Sequence, residues 1–129
     1  MAVHKTIFLS VGCLLAALPA RADRTDRVWV PGPAAVQKVE SAIGPMVDFT
    51  GAKCPPQKLT DFARYYYGII DTDGHPIIVG QLLLAKDWPG HQAGVHIQAS
   101  GVTAGGCSVA SIWFDAETSQ LVYAFWGGR

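Results

Sequence analysis

The sequence predicts an α+β fold, in which one N-terminal helix packs on a curved antiparallel sheet of four to five strands. Apolar residues recur at helical spacing only in the front part of the chain, and aromatic and β-branched runs dominate from Ala63 onward. Between the first two runs, Asp73-Gly74 is typical of a hairpin turn, because glycine readily adopts a positive φ. A lone helix has to bury its apolar stripe, and the sheet is the only large surface that can receive it.

The helix is predicted to begin at Pro33, since proline is well tolerated at the first helical position. Val36, Val39 and Ile43 then return at spacings of three and four residues, which places them on one face of the helix. The stripe covers about three turns and ends at Gly44-Pro45, because proline prevents the helix from continuing.

Extended segments follow at residues 64–70, from 75 to as far as 86, and at 94–99, 107–114 and 121–126. Gly68 and Gly80 fall inside two of them, where glycine either bends a strand or makes room for a packed aromatic side chain. This order of elements resembles the cystatin-like folds, in which a curved antiparallel sheet wraps around one N-terminal helix. The resemblance implies a fold and no particular function.

Residues 1–22 carry the pattern of a cleaved secretory signal. Lys5 supplies a positive start, an apolar run of 12 residues follows at positions 7–18, and Ala20 and Ala22 place small side chains where a signal peptidase reads them. The apolar run is shorter than the roughly 20 residues of a membrane-spanning helix, so we expect no stable membrane span. Lipidation at Cys13 is a lesser alternative.

Cleavage near Ala22 would leave residues 23–129 as a single periplasmic or secreted domain. The full chain has Lys+Arg 10 and Asp+Glu 10, but residues 1–22 hold two of the basic side chains, so the mature chain has eight basic against ten acidic residues. A nucleic-acid-binding protein needs a surplus of basic residues to neutralise phosphates. The slightly acidic mature chain therefore excludes nucleic acid as a partner.

Cys54 and Cys107 are the two cysteines of the predicted mature chain. In an oxidising compartment, an even pair of cysteines in a small domain predicts a disulfide bond. The alternative is a pair of free buried thiols. The disulfide would close a loop of roughly 54 residues and contribute roughly 4 kcal/mol of stability in the chain-entropy model.

The sequence does not favour catalysis or metal binding. The chain lacks the Gly-x-Ser-x-Gly turn of many serine hydrolases. His75, His91 and His96 do not have the spacing of a zinc site, and Asp71 and Asp73 fit a hairpin turn better than a calcium loop. We therefore predict no catalytic residue, no metal site and no cofactor.

The most informative feature is the apolar and aromatic content of both faces of the predicted sheet. In the first strand, the alternation of side chains predicts Tyr65 and Tyr67 on one face and Tyr66 on the other. In the last strand, the same alternation predicts one face that carries Leu121, Tyr123 and Phe125. One helix covers only one face, so the other would show aromatic side chains to the solvent.

Exposed tyrosine and tryptophan are enriched at protein interfaces, so this second face is the predicted binding surface. The candidate residues are aromatic side chains and one histidine: Tyr65, Tyr66, Tyr67, Trp88, His96, Trp113, Tyr123 and Trp126. The alternative is a second core layer, in which Trp29, Phe49, Phe62 and the long loops fold over that face.

These observations favour a small exported non-catalytic binding protein, comparable in size and disulfide use to periplasmic inhibitors and immunity proteins. Its partner would be an unknown protein or small ligand in the cell envelope. One alternative is a small periplasmic enzyme or ligand carrier with a pocket between helix and sheet, where His91 or His96 would transfer protons with Asp87 or Tyr67. Another is a homodimer that pairs through the same sheet.

Overall fold

The computed structural model describes residues 28–49 and 53–127 of the chain. Within these residues the protein is an α+β fold with one α-helix and a mostly antiparallel sheet of six strands, which does not close into a barrel. The predicted signal sequence, residues 1–22, lies outside the described residues. In the same ranges, no helix is long and apolar enough to cross a membrane.

The strands near the front of the chain are short, and four long strands lie in the remainder. Along the chain they are β1 (Val28–Trp29), α1 (Pro33–Ile43), β2 (Met46–Val47), β3 (Gln57–Lys58), a 3₁₀ turn (Leu59–Asp61), β4 (Phe62–Ile70), β5 (Pro76–Leu84), a second 3₁₀ turn (Ala85–Asp87), β6 (Gly94–His96), β7 (Gly106–Asp115) and β8 (Gln120–Gly127). Strands β2 and β3 pair with each other in a separate two-stranded sheet.

The long strands β4, β5, β7 and β8 form an antiparallel meander in that spatial order. Two short strands share the outer edge of β4: β1 pairs antiparallel, with Trp29 opposite Gly68, and β6 pairs parallel, with Gly94 opposite Ala63. The prediction that residues 94–99 form a strand of the meander was therefore wrong. Strand β6 is shorter, and it pairs with β4 because both edges of β5 are occupied by β4 and β7.

The helix begins and ends where the sequence predicts. Gly44 follows the last helical residue with a φ of 87°, and its N–H donates to the carbonyl oxygen of Glu40 at 3.0 Å. Val36, Val39 and Ile43 are buried. Together with one side of the sheet they form the main core, and we call this side of the sheet the helix face. The buried residues of the helix face are Phe62, Tyr66, Ile78, Leu82, Leu84, Ala110, Ile112, Phe114 and Trp126.

Gly68 and Gly80 are glycine because neighbouring side chains occupy the space above them. A Cβ atom on Gly68 would lie 2.6 Å from the ring of Trp29, and one on Gly80 would lie 2.7 Å from Ile112 and 2.9 Å from the ring of Tyr66. Of the two explanations that the sequence allows, close packing of a large side chain is therefore the one that the geometry supports.

A β-bulge between β7 and β8 changes which face the start of β8 presents. Trp113 pairs with Tyr123, but the next residue, Phe114, pairs with Leu121, so Val122 is an extra residue. Leu121 consequently packs on the core of the helix face. The prediction that Leu121 shares a face with Tyr123 was wrong, because an inserted residue reverses the alternation of side chains.

Cys54 and Cys107 form a disulfide bond, as predicted, with their Cα atoms 5.4 Å apart. The bond joins the segment before β3 to the start of β7, and so links the front of the chain to the meander. Disulfides persist in oxidising compartments, so the bond is compatible with an exported location.

Candidate functional site

One face of the sheet points away from α1. Within the described residues, other parts of the chain cover only half of this face. The connection from β5 to β7, residues 85–105, passes over the half near the start of β4, where Trp88 and Val102 pack on a second core cluster. The members of that cluster are Ala63, Tyr65, Leu83 and Val109. The sequence also allows Trp29, Phe49 and Phe62 as cover for this face, but they belong to the core of the helix face.

Hydrogen bonds hold this connection on the sheet. The side chain of Gln81, in the middle of β5, donates to the carbonyl of Val102 at 3.0 Å and accepts from the backbone N–H and the hydroxyl of Ser100 at 3.0 and 2.8 Å. The indole N–H of Trp88 donates to the carbonyl of Ser108 at 3.2 Å. The border between the covered and the open half of the face is therefore anchored by Gln81.

The open half of this face contains a depression of about 430 Å³ that we call the aromatic groove. Its lining comes from four strands and consists of Tyr67, Val79, Gln81, Ser111, Trp113, Tyr123 and Phe125. This volume lies within the roughly 300–1,000 Å³ typical of small-ligand sites.

The strand register explains why these residues meet. Tyr67 lies opposite Val79, Val79 opposite Trp113, and Trp113 opposite Tyr123, which makes one row across β4, β5, β7 and β8. The neighbouring row contains Gln81, Ser111 and Phe125. Val79 and Ser111 are small, so the larger aromatic residues on β4, β7 and β8 stand around a low floor.

The aromatic walls are partly accessible. The rings of Trp113 and Tyr123 contact each other edge to face, with centroids 5.7 Å apart and planes at 73°. Tyr123 is 56% exposed, the highest value among the aromatic residues that the structure describes. Tyr67 is half-buried, and burial raises the pKa of its hydroxyl, which keeps the phenol neutral.

The groove offers neutral polar groups and no formal charge. None of its lining residues is acidic or basic. The hydroxyls of Tyr67, Ser111 and Tyr123 make no hydrogen bond with another residue in the described ranges, whereas Gln81 is engaged with the connection above it. Three hydroxyls with both donor and acceptor capacity are thus available to a ligand.

The predicted binding residues separate into three groups. Tyr67, Trp113 and Tyr123 line the aromatic groove. Tyr65, Trp88 and His96 lie in the covered half of the same face, where the ring of His96 stacks on Tyr65 with centroids 4.6 Å apart. The last two residues, Tyr66 and Trp126, lie on the helix face.

Tyr66 and Trp126 are therefore not available to a partner on the groove side. They are 0% and 7% exposed, and both pack in the main core beneath α1. The alternation of side chains already puts Tyr66 on the face opposite Tyr65 and Tyr67, and it is this opposite face that the helix covers. Tyr66 and Trp126 therefore do not share a surface with Tyr67, Trp113 and Tyr123.

Sequence reasoning missed Gln81, Ser111, Val79 and Phe125 as members of the site. For Phe125 the alternation of side chains does predict the same face as Tyr123, although it was not among the candidate residues. The other three carry no signal of their own in the sequence. They enter the site only because the register of β5 and β7 brings them between Tyr67 and the aromatic residues of β8.

The histidines contact groups other than those proposed for an enzyme. Nδ1 of His91 lies 2.8 Å from the hydroxyl of Tyr65, and Nε2 of His96 donates to the carbonyl of Gln92 at 2.7 Å. Among the described residues neither ring meets a carboxylate, and no three potential metal ligands gather at one place. The third histidine, His75, lies in an exposed turn and forms a hydrogen bond with Glu117, which raises the pKa of His75.

A partly buried polar cluster connects α1 to the helix face of the sheet. The hydroxyl of Tyr66 donates to Oε2 of Glu40 at 2.7 Å, and Arg64 donates to both carboxylate oxygens of Glu40. Arg64 also donates to the backbone carbonyls of Leu59 and Phe62. Burial and the hydrogen bond to Glu40 raise the pKa of Tyr66. Because every charge in the cluster has a partner, it serves to hold the helix in place.

No protein-family model, curated protein or solved structure matches this chain. The candidate site is therefore defined by its own geometry. It is an uncharged groove on the helix-free face of the sheet, with aromatic walls, a low floor of Val79 and Ser111, and a border anchored by Gln81.

Proposed function

We propose that this protein is a small exported, non-catalytic binding domain, which takes a protein segment or a small ligand into the aromatic groove. The observation that carries the proposal is the incomplete cover of the second sheet face. Residues 85–105 bury one half of that face, and the other half leaves Tyr67, Trp113 and Tyr123 around an open depression. In size and disulfide use the protein is comparable to inhibitors and immunity-type proteins.

The composition of the open half supports a role in recognition. Tyrosine and tryptophan are the residues most enriched at the energetic centre of binding surfaces, because they bury a large area with few rotatable bonds. Large exposed apolar surfaces are uncommon on monomeric proteins. In this groove the rings stand on four hydrogen-bonded strands, so a partner would not have to order them on binding.

The exported location is part of the proposal. It rests on the signal pattern of residues 1–22 and is supported by the disulfide between Cys54 and Cys107. We expect cleavage near Ala22, so that the secreted or periplasmic form begins at Asp23. Intact mass measurement of the exported protein would show this start; a mass that retains residues 1–22 would contradict it.

The proposed function is tested by comparing groove variants in a binding experiment. Mature protein is immobilised and exposed to cell-envelope extract, and retained proteins and small molecules are identified by mass spectrometry. We expect a partner retained by the wild type and by the distant control His75→Ala, but lost with Trp113→Ala and with Tyr123→Ala. Retention that is the same for all four proteins would contradict a role of the groove.

The enzyme or ligand carrier with a pocket between helix and sheet has less support. The interior between α1 and the sheet is filled by the main core. A groove of about 340 Å³ lies at its margin, lined by Pro31, Pro33, Val36, Gln37, Glu40, Val95 and Ile97, without a histidine. Its carboxylate, Glu40, is already engaged by Arg64 and Tyr66.

Self-association is a second candidate, and the free edge of β8 favours it. Within the described residues β8 pairs only with β7, and its eight residues include no charge and no proline, so the bulge at Val122 is the one edge-protecting feature of the strand. Val122 is 49% exposed at this edge. Sedimentation at increasing concentration should show a dimer that Val122→Lys dissociates; a monomer at every concentration would rule out this candidate.

The finer description of the fold is also a proposal. We propose that the layout is cystatin-like, with the meander wrapped around α1. The support is the order of the elements: the helix precedes the meander, and its stripe of Val36, Val39 and Ile43 belongs to one core cluster with residues from all four long strands.

A further inference from the structure

The lining of the aromatic groove restricts the chemistry of its ligand. A site for phosphate or carboxylate groups normally offers arginine, lysine or a helix N-terminus. The groove offers none of these, because all of its residues lie on strands and none of them is charged. The ligand is therefore expected to be uncharged where it enters the groove, since a buried charge without a partner is strongly disfavoured.

The polar groups of the groove point to a ligand with its own hydroxyls. The hydroxyls of Tyr67, Ser111 and Tyr123 have no partner among the described residues, and Ser111 is only 9% exposed on the floor. A ligand that displaced water from these hydroxyls without replacing the hydrogen bonds would lose affinity. A purely hydrocarbon ligand would therefore pack against the aromatic rings but would leave the three hydroxyls without hydrogen bonds.

The shape of the groove adds a third restriction. Its floor, formed by Val79 and Ser111, is low, and aromatic rings from β4, β7 and β8 stand around it. Aromatic faces carry partial negative charge and attract the weakly positive C–H groups on the face of a saturated ring laid against them. A ring with C–H bonds on its faces and hydroxyls at its rim matches both the walls and the floor.

We propose that the aromatic groove binds a neutral saccharide. One pyranose ring lies against an aromatic wall, and its hydroxyls exchange hydrogen bonds with Tyr67, Ser111 and Tyr123. This inference rests on the proposed binding function and names its ligand class. The volume of about 430 Å³ holds one or two sugar rings, and the open rim allows a longer chain to extend beyond them.

Titration of the mature protein with defined oligosaccharides tests the inference. The neutral probes are cellotetraose, maltotetraose and tetra-N-acetylchitotetraose; tetragalacturonic acid is the charged comparison, and choline tests whether the rings recognise a cation instead. Binding is measured by calorimetry and by backbone amide shifts. We expect at least one neutral probe to bind and to shift amides of β5, β7 and β8, and we expect neither the acidic probe nor choline to do so.

Variants then locate the binding. Tyr67→Phe and Ser111→Ala each remove one hydroxyl and keep the fold of the strand, so each should weaken the neutral probe about fivefold. Trp113→Ala should weaken it about tenfold or more, and its far-ultraviolet circular dichroism verifies that it is folded. His75→Ala, in a distant exposed turn, should bind like the wild type.

Three results would overturn the saccharide inference. The first is that no neutral probe binds at about 10 mM. The second is that choline or the acidic probe binds as well as the neutral ones. The third is that Tyr67→Phe, Ser111→Ala and Trp113→Ala leave affinity unchanged. If an envelope component is still retained through Trp113 and Tyr123, the proposed binding function stands and only its ligand class falls.

Discussion

Single residues decide how the two faces of this sheet differ. On the helix face, Tyr66 is fully buried and donates its hydroxyl to Glu40, while on the groove face its neighbour Tyr67 keeps a hydroxyl without a partner in the described residues. Two adjacent tyrosines thus have opposite roles. The first stabilises the attachment of α1, and the second contributes to the surface that a ligand meets.

The buried phenol of Tyr66 predicts a loss of stability in alkaline solution. Burial first, and the hydrogen bond to Glu40 second, raise its pKa above the ordinary value of 10.0. The folded state therefore favours the neutral phenol more than the unfolded chain does. This contribution is fully present below a pH of about 10 and is lost as the pH rises above it.

Urea unfolding between about pH 8 and 11 measures this effect. We expect the free energy of unfolding of the wild type to fall with increasing slope above about pH 10, and we expect a shallower fall for Tyr66→Phe. Tyr67→Phe is the matched control, since burial alone raises the pKa of Tyr67 and the change in slope should be smaller. Equal slopes for Tyr66→Phe and the wild type would contradict the prediction.

At the scale of elements, patterns that depend on neighbours in sequence were predictable, and patterns that depend on pairing were not. Pro33 and Gly44 mark the ends of α1 because they act on the backbone locally. The bulge at Val122 and the parallel pairing of β6 with β4 depend on which strands meet. The composition of residues 94–99 predicts a strand whether the segment joins the meander or pairs along the edge of β4.

The same distinction applies to the candidate site. Tyr67, Trp113 and Tyr123 could be proposed from the sequence, since large aromatic side chains are conspicuous on a strand that is not fully covered. Gln81 and Ser111 could not be proposed, because their place in the groove follows from the register of β5 with β7. The polar part of the site, which restricts the ligand, is therefore visible only in the folded chain.

Gly80, in the middle of β5, allows a prediction about the packing of the helix face. In Gly80→Ala the added methyl group would lie 2.7 Å from Ile112 and 2.9 Å from Tyr66. We expect a loss of about 1–3 kcal/mol in the free energy of unfolding, measured with urea. Ile112→Ala should be destabilised by a cavity, and the double variant should lose less than the sum of both. Simple additivity would show that the methyl group does not meet Ile112.

At the scale of the whole molecule, the disulfide joins the front of the chain to the meander. Cys54 belongs to the segment before β3, and Cys107 lies at the start of β7, 53 positions later. A small domain with a net stability of roughly 5–15 kcal/mol depends strongly on one such bond.

We expect Cys54→Ala/Cys107→Ala to lose roughly 4 kcal/mol in the free energy of unfolding, because the unfolded chain is no longer closed into a loop. Urea unfolding of the double variant and of the oxidised wild type measures the difference. Alanine avoids free thiols in the comparison. A loss below about 1 kcal/mol would mean that the bond adds little to what the core already provides.

The short strand β1, on the edge of β4, has a consequence for the order in which the strands assemble during folding. Strands β4 and β5 are joined by a tight turn, so they are close together in sequence. In contrast, the indole N–H of Trp29 in β1 donates to the carbonyl of Ile69, which is 40 residues further along the chain. Closing a long loop costs more entropy than closing a short one, so β1 is expected to join the sheet after the β4–β5 hairpin has formed. A chain that emerges from a ribosome or a translocon with its N-terminus first must therefore carry β1 unpaired until β4 has followed it.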